Sequence, residues 1–253
     1  MKTYLIVGGS KGLGRAFIKQ LIKEKKNRIL LISRSNIDFL DEKIIYFQTN
    51  LLDGFSLAST LESIKNSYEL DALVFFQKYR VKKDEKSNLI DEFRVNVEAT
   101  KIVIETLQES FLNKGLRSIV VVGSIASRFV AQEQNVDYHI TKSSLVGLVN
   151  YYAVSLAQKG IRINIVSPST VLKDENRKFY QNNKELMTLY KSISPLKSIV
   201  QAKDVANLIK YLLSKKSKFI TGQDIFIDAA ISKLWQEAIG RKYANLENIN
   251  IKR

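Results

Sequence analysis

The chain of 253 residues contains no cysteine, one histidine and two prolines. The lack of cysteine excludes a disulfide framework and thiolate chemistry. A single histidine, His139, argues against a His-rich metal site and against a Ser-His-Asp triad, so no metal is expected. The apolar run at the start, residues 4–7, is too short for a signal peptide or a membrane span. We therefore expect a cytoplasmic protein.

Positive charge exceeds negative charge by a wide margin. Forty Lys and Arg residues face 25 Asp and Glu residues, which gives a net charge of +15. Such an excess attracts anions, including nucleic acid, anionic membranes and nucleotide- or carrier-linked substrates. The densest basic runs, residues 23–26 and 82–86, also contain acids, which is typical of solvated faces. We expect no nucleic-acid or membrane partner, and the alternative of nucleic-acid binding rests on net charge alone.

Short apolar segments alternate with segments of helical period along the chain. These segments predict helices over residues 12–25, through Asn96 to near Gly115, and from Tyr138 to Gly160. Strands are predicted at residues 3–7, 29–32, 44–48, 72–76, 119–122, 161–166 and 224–227. Nearly all-apolar strands separated by helices predict an α/β fold, a Rossmann-type doubly wound parallel sheet of about seven strands with helices on both faces.

No linker rich in Pro, Gly or Ser divides the chain. One domain is therefore expected over residues 1–230, followed by a tail over residues 231–253. Within the domain, residues of about 170–197 mix charges with spaced aromatic residues. This pattern suits a lid over a binding cleft, and it suits a plain amphipathic surface helix equally well.

A glycine-rich turn, residues 8–14, joins the first predicted strand to the first predicted helix. Its spacing is GxxxGxG, with Gly8, Gly12 and Gly14 as the fixed positions. Glycine lets the backbone turn sharply and approach a dinucleotide pyrophosphate, which meets the positive end of the following helix. Strand-to-helix turns also contain glycine for structural reasons alone, but the position after an apolar strand favours nucleotide binding.

The end of the second strand bears on which dinucleotide binds. An acidic residue there would bind the ribose 2′-hydroxyl of NAD, whereas this chain has Ser33 and Arg34. Lys11 lies inside the glycine turn. Two cations near the ribose suit a 2′-phosphate and favour NADP(H) over NAD(H). The alternative is that Arg34 is only a surface residue.

A tyrosine and a lysine lie one helical turn apart, and Ser124 precedes them by fourteen residues. Positions i and i+4 of a helix are neighbours on one face, so Tyr138 and Lys142 are expected to lie side by side. An ammonium beside a phenol lowers the phenol pKa from about 10, which would make Tyr138 a proton donor near neutral pH.

These features together resemble the short-chain dehydrogenase/reductase family in its single-domain form, and the chain is identified as a divergent member similar to 3-oxoacyl-carrier-protein reductases. The resemblance covers residues 3–230. It is carried by seven motifs in the family's order: the glycine turn, Asn50-Leu51, Asn96-Val97, Gly123-Ser124, Tyr138 to Lys142, Gly160 to Asn164 with Ser167-Pro168, and Phe219 to Gln223.

The resemblance implies a catalytic tetrad of Asn96, Ser124, Tyr138 and Lys142. In such a tetrad Tyr138 protonates the carbonyl oxygen, or deprotonates the alcohol in the reverse direction, and Ser124 hydrogen-bonds that oxygen. Lys142 binds the nicotinamide ribose, and Asn96 organises a water for proton relay; Ser127 is a nearby alternative to Ser124. The cofactor-binding residues implied are Gly8, Ser10, Lys11, Gly12, Leu13, Gly14, Ser33, Arg34, Asn50, Leu51, Tyr138, Lys142, Pro168 and Val171.

The chain also departs from the family pattern. Phe75-Phe76-Gln77-Lys78 replaces the usual Asn-Asn-Ala-Gly after the fourth strand, and Asn50 replaces the usual Asp at the adenine end. Bulky Phe76 would alter the cofactor fit, and Lys78 would add an anion contact. These departures indicate a divergent enzyme with an unusual substrate or, as the alternative, a dinucleotide-binding protein without turnover.

Three lid cations, Lys173, Arg177 and Lys178, are candidates for binding an anionic substrate, such as a carrier-linked 3-oxoacyl group or a keto-sugar nucleotide. Relatives pair their two long helices across two-fold axes, which implies a homodimer or homotetramer. The tail has four apolar residues near helical spacing that are candidates for covering a neighbouring subunit: Leu234, Trp235, Ile239 and Tyr243.

Overall fold

The computed structural model describes residues 1–39, 41–80, 88–112, 115 and 117–246. The basic run at residues 82–86 and the end of the tail, residues 247–253, lie outside the described residues. The described strands are β1 (Lys2–Val7), β2 (Asn27–Ser33), β3 (Ile44–Gln48), β4 (Ala72–Phe75), β5 (Ser118–Val122), β6 (Arg162–Pro168), β7 (Val171–Leu172), β8 (Val200–Gln201) and β9 (Asp224–Ile227). The described helices are α1 (Gly12–Leu21), α2 (Gly54–Ser67), α3 (Leu89–Phe93), α4 (Ala99–Leu107), α5 (Val136–Ser155), α6 (Asp174–Asn182), α7 (Lys184–Ile193), α8 (Ala202–Leu212) and α9 (Gln236–Tyr243).

Seven of the strands form one parallel sheet in the order β3-β2-β1-β4-β5-β6-β9. Helices α2, α4 and α5 cover one face, where Leu61, Ile104 and Val149 pack into a core cluster. Helices α1 and α8 cover the other face through Phe17 and Ile209. Each such side chain contributes roughly 1.5–3 kcal/mol on burial. The predicted Rossmann-type sheet with helices on both faces is confirmed. Among the described residues, no helix is both long and apolar enough to cross a membrane.

The strand order reverses beside β1, and that reversal places the site. The chain leaves β1 toward β2 on one side and returns to β4 on the other, so a crevice opens at the carboxyl ends of β1 and β4. Val7 and Phe75 are register partners at these ends. Gly8 follows with φ +73°, and a Cβ on Gly8 would lie 2.6 Å from the backbone nitrogen of Gln77. Only glycine permits both that conformation and that approach.

All three predicted helices differ from their expected bounds, and α5 runs over Val136–Ser155 rather than over 138–160. Helix α1 ends at Leu21 and not at residue 25, because the side-chain Nδ2 of buried Asn27 donates to the Leu21 carbonyl at 3.0 Å and the chain turns into β2. The helical stretch through Asn96 is divided into α3, a π-helical turn over Arg94–Glu98, and α4. Such π turns often occur at functional sites.

The tail packs on residues 170–197 of its own chain, the segment predicted as a lid and named the lid below. The Lys242 ammonium donates to the Ser192 carbonyl at 2.7 Å, and the hydroxyls of Tyr243 and Ser192 lie 2.7 Å apart. Helix α9 therefore rests on α7, the second lid helix. Trp235 and Tyr243 are 72% and 49% exposed, so of the four apolar tail residues these two can meet another molecule.

Candidate active site

Two adjoining clefts open at the carboxyl edge of the sheet and share Lys78, Tyr79 and Arg80. The glycine cleft is also lined by the glycine turn, the ends of β2 to β4 and Val95. The tyrosine cleft is also lined by Glu92, Glu133, Gln134, Asn135, Tyr138 and Lys173. A molecule in one cleft can therefore touch a molecule in the other.

The glycine cleft brings together seven of the predicted cofactor-binding residues: Gly8, Ser10, Lys11, Ser33, Arg34, Asn50 and Leu51. Gly12, Leu13 and Gly14 form the first turn of α1 directly beside it. Pro168 and Val171 are not among the described residues that line it, and Val171 is buried in the core. The structure thus gathers the predicted turn and strand ends but leaves these two residues apart.

The charge of the glycine cleft is entirely positive among the residues described. No Asp or Glu belongs to its lining, whereas Lys11 and Arg34 are exposed there. Neither of these cations forms an ion pair within the described part of the chain. The positive charge at the end of β2 can therefore attract an anion. The described lining of the cleft has no carboxylate there to accept a hydrogen bond from a ribose hydroxyl.

Helix α5 presents Tyr138 to the second cleft. Asn135 caps the helix, and its Oδ1 accepts the Tyr138 N–H at 2.9 Å. Ser124 lies just after β5; its Oγ accepts the Ala126 N–H at 3.1 Å, and the hydroxyl is close enough to that of Tyr138 to act on the Tyr138 pKa. Ser127, the alternative, has a buried hydroxyl without a partner among the described residues. Geometry therefore favours Ser124 as the residue that acts with Tyr138.

Lys142 lies one turn along the same face, with its ammonium 5.8 Å from the centre of the Tyr138 ring. The side chain is buried, and Nζ donates to the Val122 carbonyl at 2.9 Å. Burial and, to a smaller extent, the charge on Lys78 lower the pKa of Lys142 to about 8, against the opposing effect of Glu92. The ammonium is thus held close to Tyr138 but directed at a backbone oxygen.

The predicted lowering of the Tyr138 pKa is wrong for this geometry. Burial raises the pKa of Tyr138, the hydrogen bond with Ser124 opposes the rise, and the negative charge of Glu92 adds to it. Lys142 is not among the groups that shift this pKa, and its ammonium donates to the Val122 carbonyl. The phenol therefore stays protonated at neutral pH.

Asn96 is a buried junction between three elements. Its Nδ2 donates to the Thr141 hydroxyl at 3.2 Å and to the Glu92 carboxylate at 3.4 Å, and its Oδ1 accepts the Tyr79 N–H at 3.1 Å. Asn96 thus fixes helix α5 and the segment after β4 relative to each other. The sequence analysis does not identify Glu92, which is 2% exposed; an acid four residues before Asn96 on one helical face is the only signal of it.

Lys78, a departure from the family pattern, lies directly over the catalytic candidate. Its ammonium is 4.2 Å from the centre of the Tyr138 ring and donates to Gln134 Oε1 at 3.3 Å. Water reaches this side chain, yet the cleft walls surround it. This enclosure lowers the pKa of Lys78, and the charges on Lys173 and Arg80 lower it further, against the opposing effect of Glu92. The unusual segment therefore adds a cation to the site.

The lid meets the glycine turn through a carboxylate. Glu175 Oε1, at the start of α6, accepts the Gly12 N–H at 2.7 Å. Burial raises the pKa of Glu175, but hydrogen bonds from the Gly12 and Glu175 amides, together with Arg15 and Lys173, lower it below its ordinary value. The Gly12 amide, which is predicted to bind phosphate, thus already binds the Glu175 carboxylate. The two residues are 163 positions apart, so the sequence pattern does not reveal this contact.

Of the three lid cations predicted to meet a substrate, one reaches the tyrosine cleft. Lys173 lines it beside Tyr138, and burial together with the charge on Arg80 lowers the pKa of Lys173. Arg177 faces Asp174 within the lid at 3.9 Å. Lys178 is exposed and is not among the described residues that line the cleft.

Comparison with known proteins gives consistent results. A family model described as enoyl-(acyl carrier protein) reductase matches residues 57–231. A 3-oxoacyl-[acyl-carrier-protein] reductase of Buchnera aphidicola is 26% identical over 243 residues, which cover 91% of this chain and 97% of that protein. The crystal structure of a short-chain dehydrogenase family protein from Francisella tularensis superposes with a TM-score of 0.80 at 27% identity, covering 92% of this chain and 100% of that chain. The structure of ElxO with NADP bound has the same fold, with a TM-score of 0.78 at 23% identity and coverage of 92% and 99%.

Proposed function

This chain belongs to the short-chain dehydrogenase/reductase family, and we propose that it is an NADP(H)-dependent oxidoreductase that reduces a carbonyl to an alcohol, or catalyses the reverse. The observation that carries the proposal is the cluster of Ser124, Tyr138 and Lys142 at a cleft that adjoins the glycine cleft. A dinucleotide in the first cleft and a carbonyl in the second would lie within reach of each other.

The residues of the glycine cleft fit a phosphorylated dinucleotide. The Gly12 amide already donates to a carboxylate oxygen, so the turn is able to hold an anion. The close approach at Gly8 keeps side chains out of that turn. Lys11 and Arg34 would bind the 2′-phosphate, in a cleft whose described lining contains no carboxylate. The structure of ElxO with NADP bound supports this preference by analogy of fold.

The tetrad residues would divide the work as follows. When bound, the cofactor supplies hydride, and the protein supplies position and electrostatic field. Tyr138, protonated at neutral pH, would donate its phenolic proton to the carbonyl oxygen, while Ser124 hydrogen-bonds that oxygen. Lys142 would bind the ribose, and Asn96 would hold α5 in register with the segment after β4. The raised pKa keeps Tyr138 in the protonated form that reduction requires.

The relatives bear on the substrate, and the exposed face of α5 bears on the assembly. The 3-oxoacyl-[acyl-carrier-protein] reductase among the relatives supports an anionic, carrier-linked 3-oxoacyl substrate, and a keto-sugar nucleotide is the other candidate. A homodimer or homotetramer would cover Tyr151 and Val154 of α5, which are 68% and 76% exposed. We place the nucleotide site and the lid in residues 1–230, the tail in residues 231–253, and the protein in the cytoplasm.

A dinucleotide-binding protein without turnover is the second candidate. Phe76 favours it, because its ring packs 5.6 Å from the Phe17 ring and lines the glycine cleft where relatives have a smaller residue. The two candidates differ in one assay, the oxidation of NADPH in the presence of 3-oxoacyl thioesters, keto-sugar nucleotides and simple ketones. Turnover of any of these supports the reductase. NADPH binding without oxidation across the panel supports the silent protein.

A further inference from the structure

Three cations converge on the tyrosine cleft in addition to Lys142. The cleft is lined by Lys78, Arg80 and Lys173. The charges on Lys173 and Arg80 lower the pKa of Lys78, and the charge on Arg80 lowers the pKa of Lys173. They come from two elements, the segment after β4 and the start of the lid. None of the three forms an ion pair with a carboxylate in the part of the chain that the structure describes.

The carboxylates of the cleft do not balance this charge. Glu92 is buried, Nδ2 of Asn96 donates to it, and its charge raises the pKa of Lys78 and Lys142, as Glu175 does for Lys173. The three cations still outnumber the two carboxylates that line the cleft, those of Glu92 and Glu133. Glu133 lies on the rim and has no resolved influence on Lys78 or Lys173. An anion placed among the cations would therefore replace repulsion with attraction.

We propose that Lys78, Arg80 and Lys173 form a subsite for an anionic group of the substrate, a carboxylate or a phosphate, lying a few bonds from the carbonyl that Tyr138 protonates. The proposal rests on the proposed reductase function. The anionic group and the carbonyl of the substrate must lie close together, because the Lys78 ammonium lies 4.2 Å from the Tyr138 ring centre. An oxygen bound to that ammonium at about 2.8 Å lies near the phenol. A short oxo acid or a phosphorylated ketone meets this requirement.

The cofactor diphosphate is the other source of anionic oxygen, since Lys78 and Arg80 also line the glycine cleft. The position of Lys78 over the Tyr138 ring favours the substrate, because the charge sits beside the reacting group. The glycine cleft also has cations of its own in Lys11 and Arg34. A test must therefore measure the affinity for substrate and the affinity for cofactor separately.

The experiment compares acetoacetate with its neutral analogue 2,4-pentanedione in the wild-type protein and in Lys78→Met, Lys78→Arg and Lys178→Gln. We expect Lys78→Met to reduce the ratio of kcat/KM for acetoacetate to kcat/KM for 2,4-pentanedione by about fivefold or more. Lys78→Arg should restore most of the ratio, because it keeps the charge. Lys178→Gln removes an exposed lid lysine outside the cleft and should leave the ratio unchanged.

Binding provides a readout that does not depend on turnover. Calorimetric titration of acetoacetate into the complex with NADP⁺, which cannot reduce it, should show a similar loss of affinity in Lys78→Met, with the affinity for NADP⁺ kept. An unchanged ratio overturns the subsite. Loss of NADP⁺ affinity with an unchanged ratio assigns the cations to the cofactor and also overturns it. If no ketone turns over but acetoacetate still binds through Lys78, the reductase proposal fails and the anion subsite stands.

Discussion

The contact between Glu175 and the Gly12 amide makes a quantitative prediction about cofactor binding. A phosphate that binds the glycine turn at this amide must first displace the carboxylate. A hydrogen bond to a charged acceptor contributes about 1.5–3 kcal/mol. Because Glu175 is exposed, solvent screening reduces the net value to about 1 kcal/mol. Only molecules in which the contact between Glu175 and Gly12 is broken can bind the cofactor at this amide. The contact therefore lowers the apparent affinity for the cofactor.

We expect Glu175→Ala to bind NADPH about fivefold more tightly than the wild-type protein, since tenfold corresponds to about 1.4 kcal/mol. Glu175→Gln should give a smaller gain, because its amide oxygen still accepts the Gly12 N–H without charge. The assay is a titration followed by NADPH fluorescence. Asp174→Asn is the matched control, because Asp174 pairs with Lys19 at 3.7 Å and does not contact the glycine turn. Unchanged or weaker binding in Glu175→Ala would refute the reasoning.

Three further predictions concern the turn, the cofactor and the pH. Gly8→Ala should destabilise the fold by at least about 1–2 kcal/mol in urea denaturation, because φ is +73° and the new Cβ would meet the Gln77 backbone. Gly54→Ala is the control, because a Cβ on Gly54 would meet nothing within 4 Å. Arg34→Gln should lower the ratio of NADPH to NADH affinity about fivefold or more, and an unchanged ratio would exclude 2′-phosphate recognition by Arg34. Burial lowers the Lys142 pKa from 10.5 to about 8. Between pH 8 and pH 10.5 the folded protein therefore binds fewer protons than the unfolded chain. The free energy of unfolding should rise with pH over this range, and it should rise less in Lys142→Met.

The sheet was predictable because its strands are buried on both faces. Strands β3 and β9 have the predicted bounds, and the other five strands of the sheet differ from the predicted bounds by one or two residues at an end. Apolar runs between turns carry that information within the sequence itself. The end of α1 was not predictable in this way, since it depends on the hydrogen bond from the side chain of Asn27.

The spacing of Tyr138 and Lys142 predicts that they are neighbours on one helical face, whereas the electrostatics around them could not be predicted. Helical geometry alone places Tyr138 and Lys142 on one face. The direction of the Tyr138 pKa depends on burial and on Glu92, which reaches the site from another element. The contact of Glu175 with Gly12 likewise depends on how the lid packs. Local pattern identifies the residues of a site, and tertiary packing sets the charge that each of them experiences.

In the proposed mechanism the Tyr138 hydroxyl delivers a proton to a carbonyl beside the bound dinucleotide. The most direct measurement is single-turnover oxidation of NADPH by wild-type protein and by Tyr138→Phe, with a ketone that the wild-type protein reduces. We expect the rate to fall by about 100- to 10,000-fold, the range for loss of a general acid, with the NADPH dissociation constant within about twofold of wild type because the ring remains. A variant that reduces the ketone at a rate close to wild type would contradict the account.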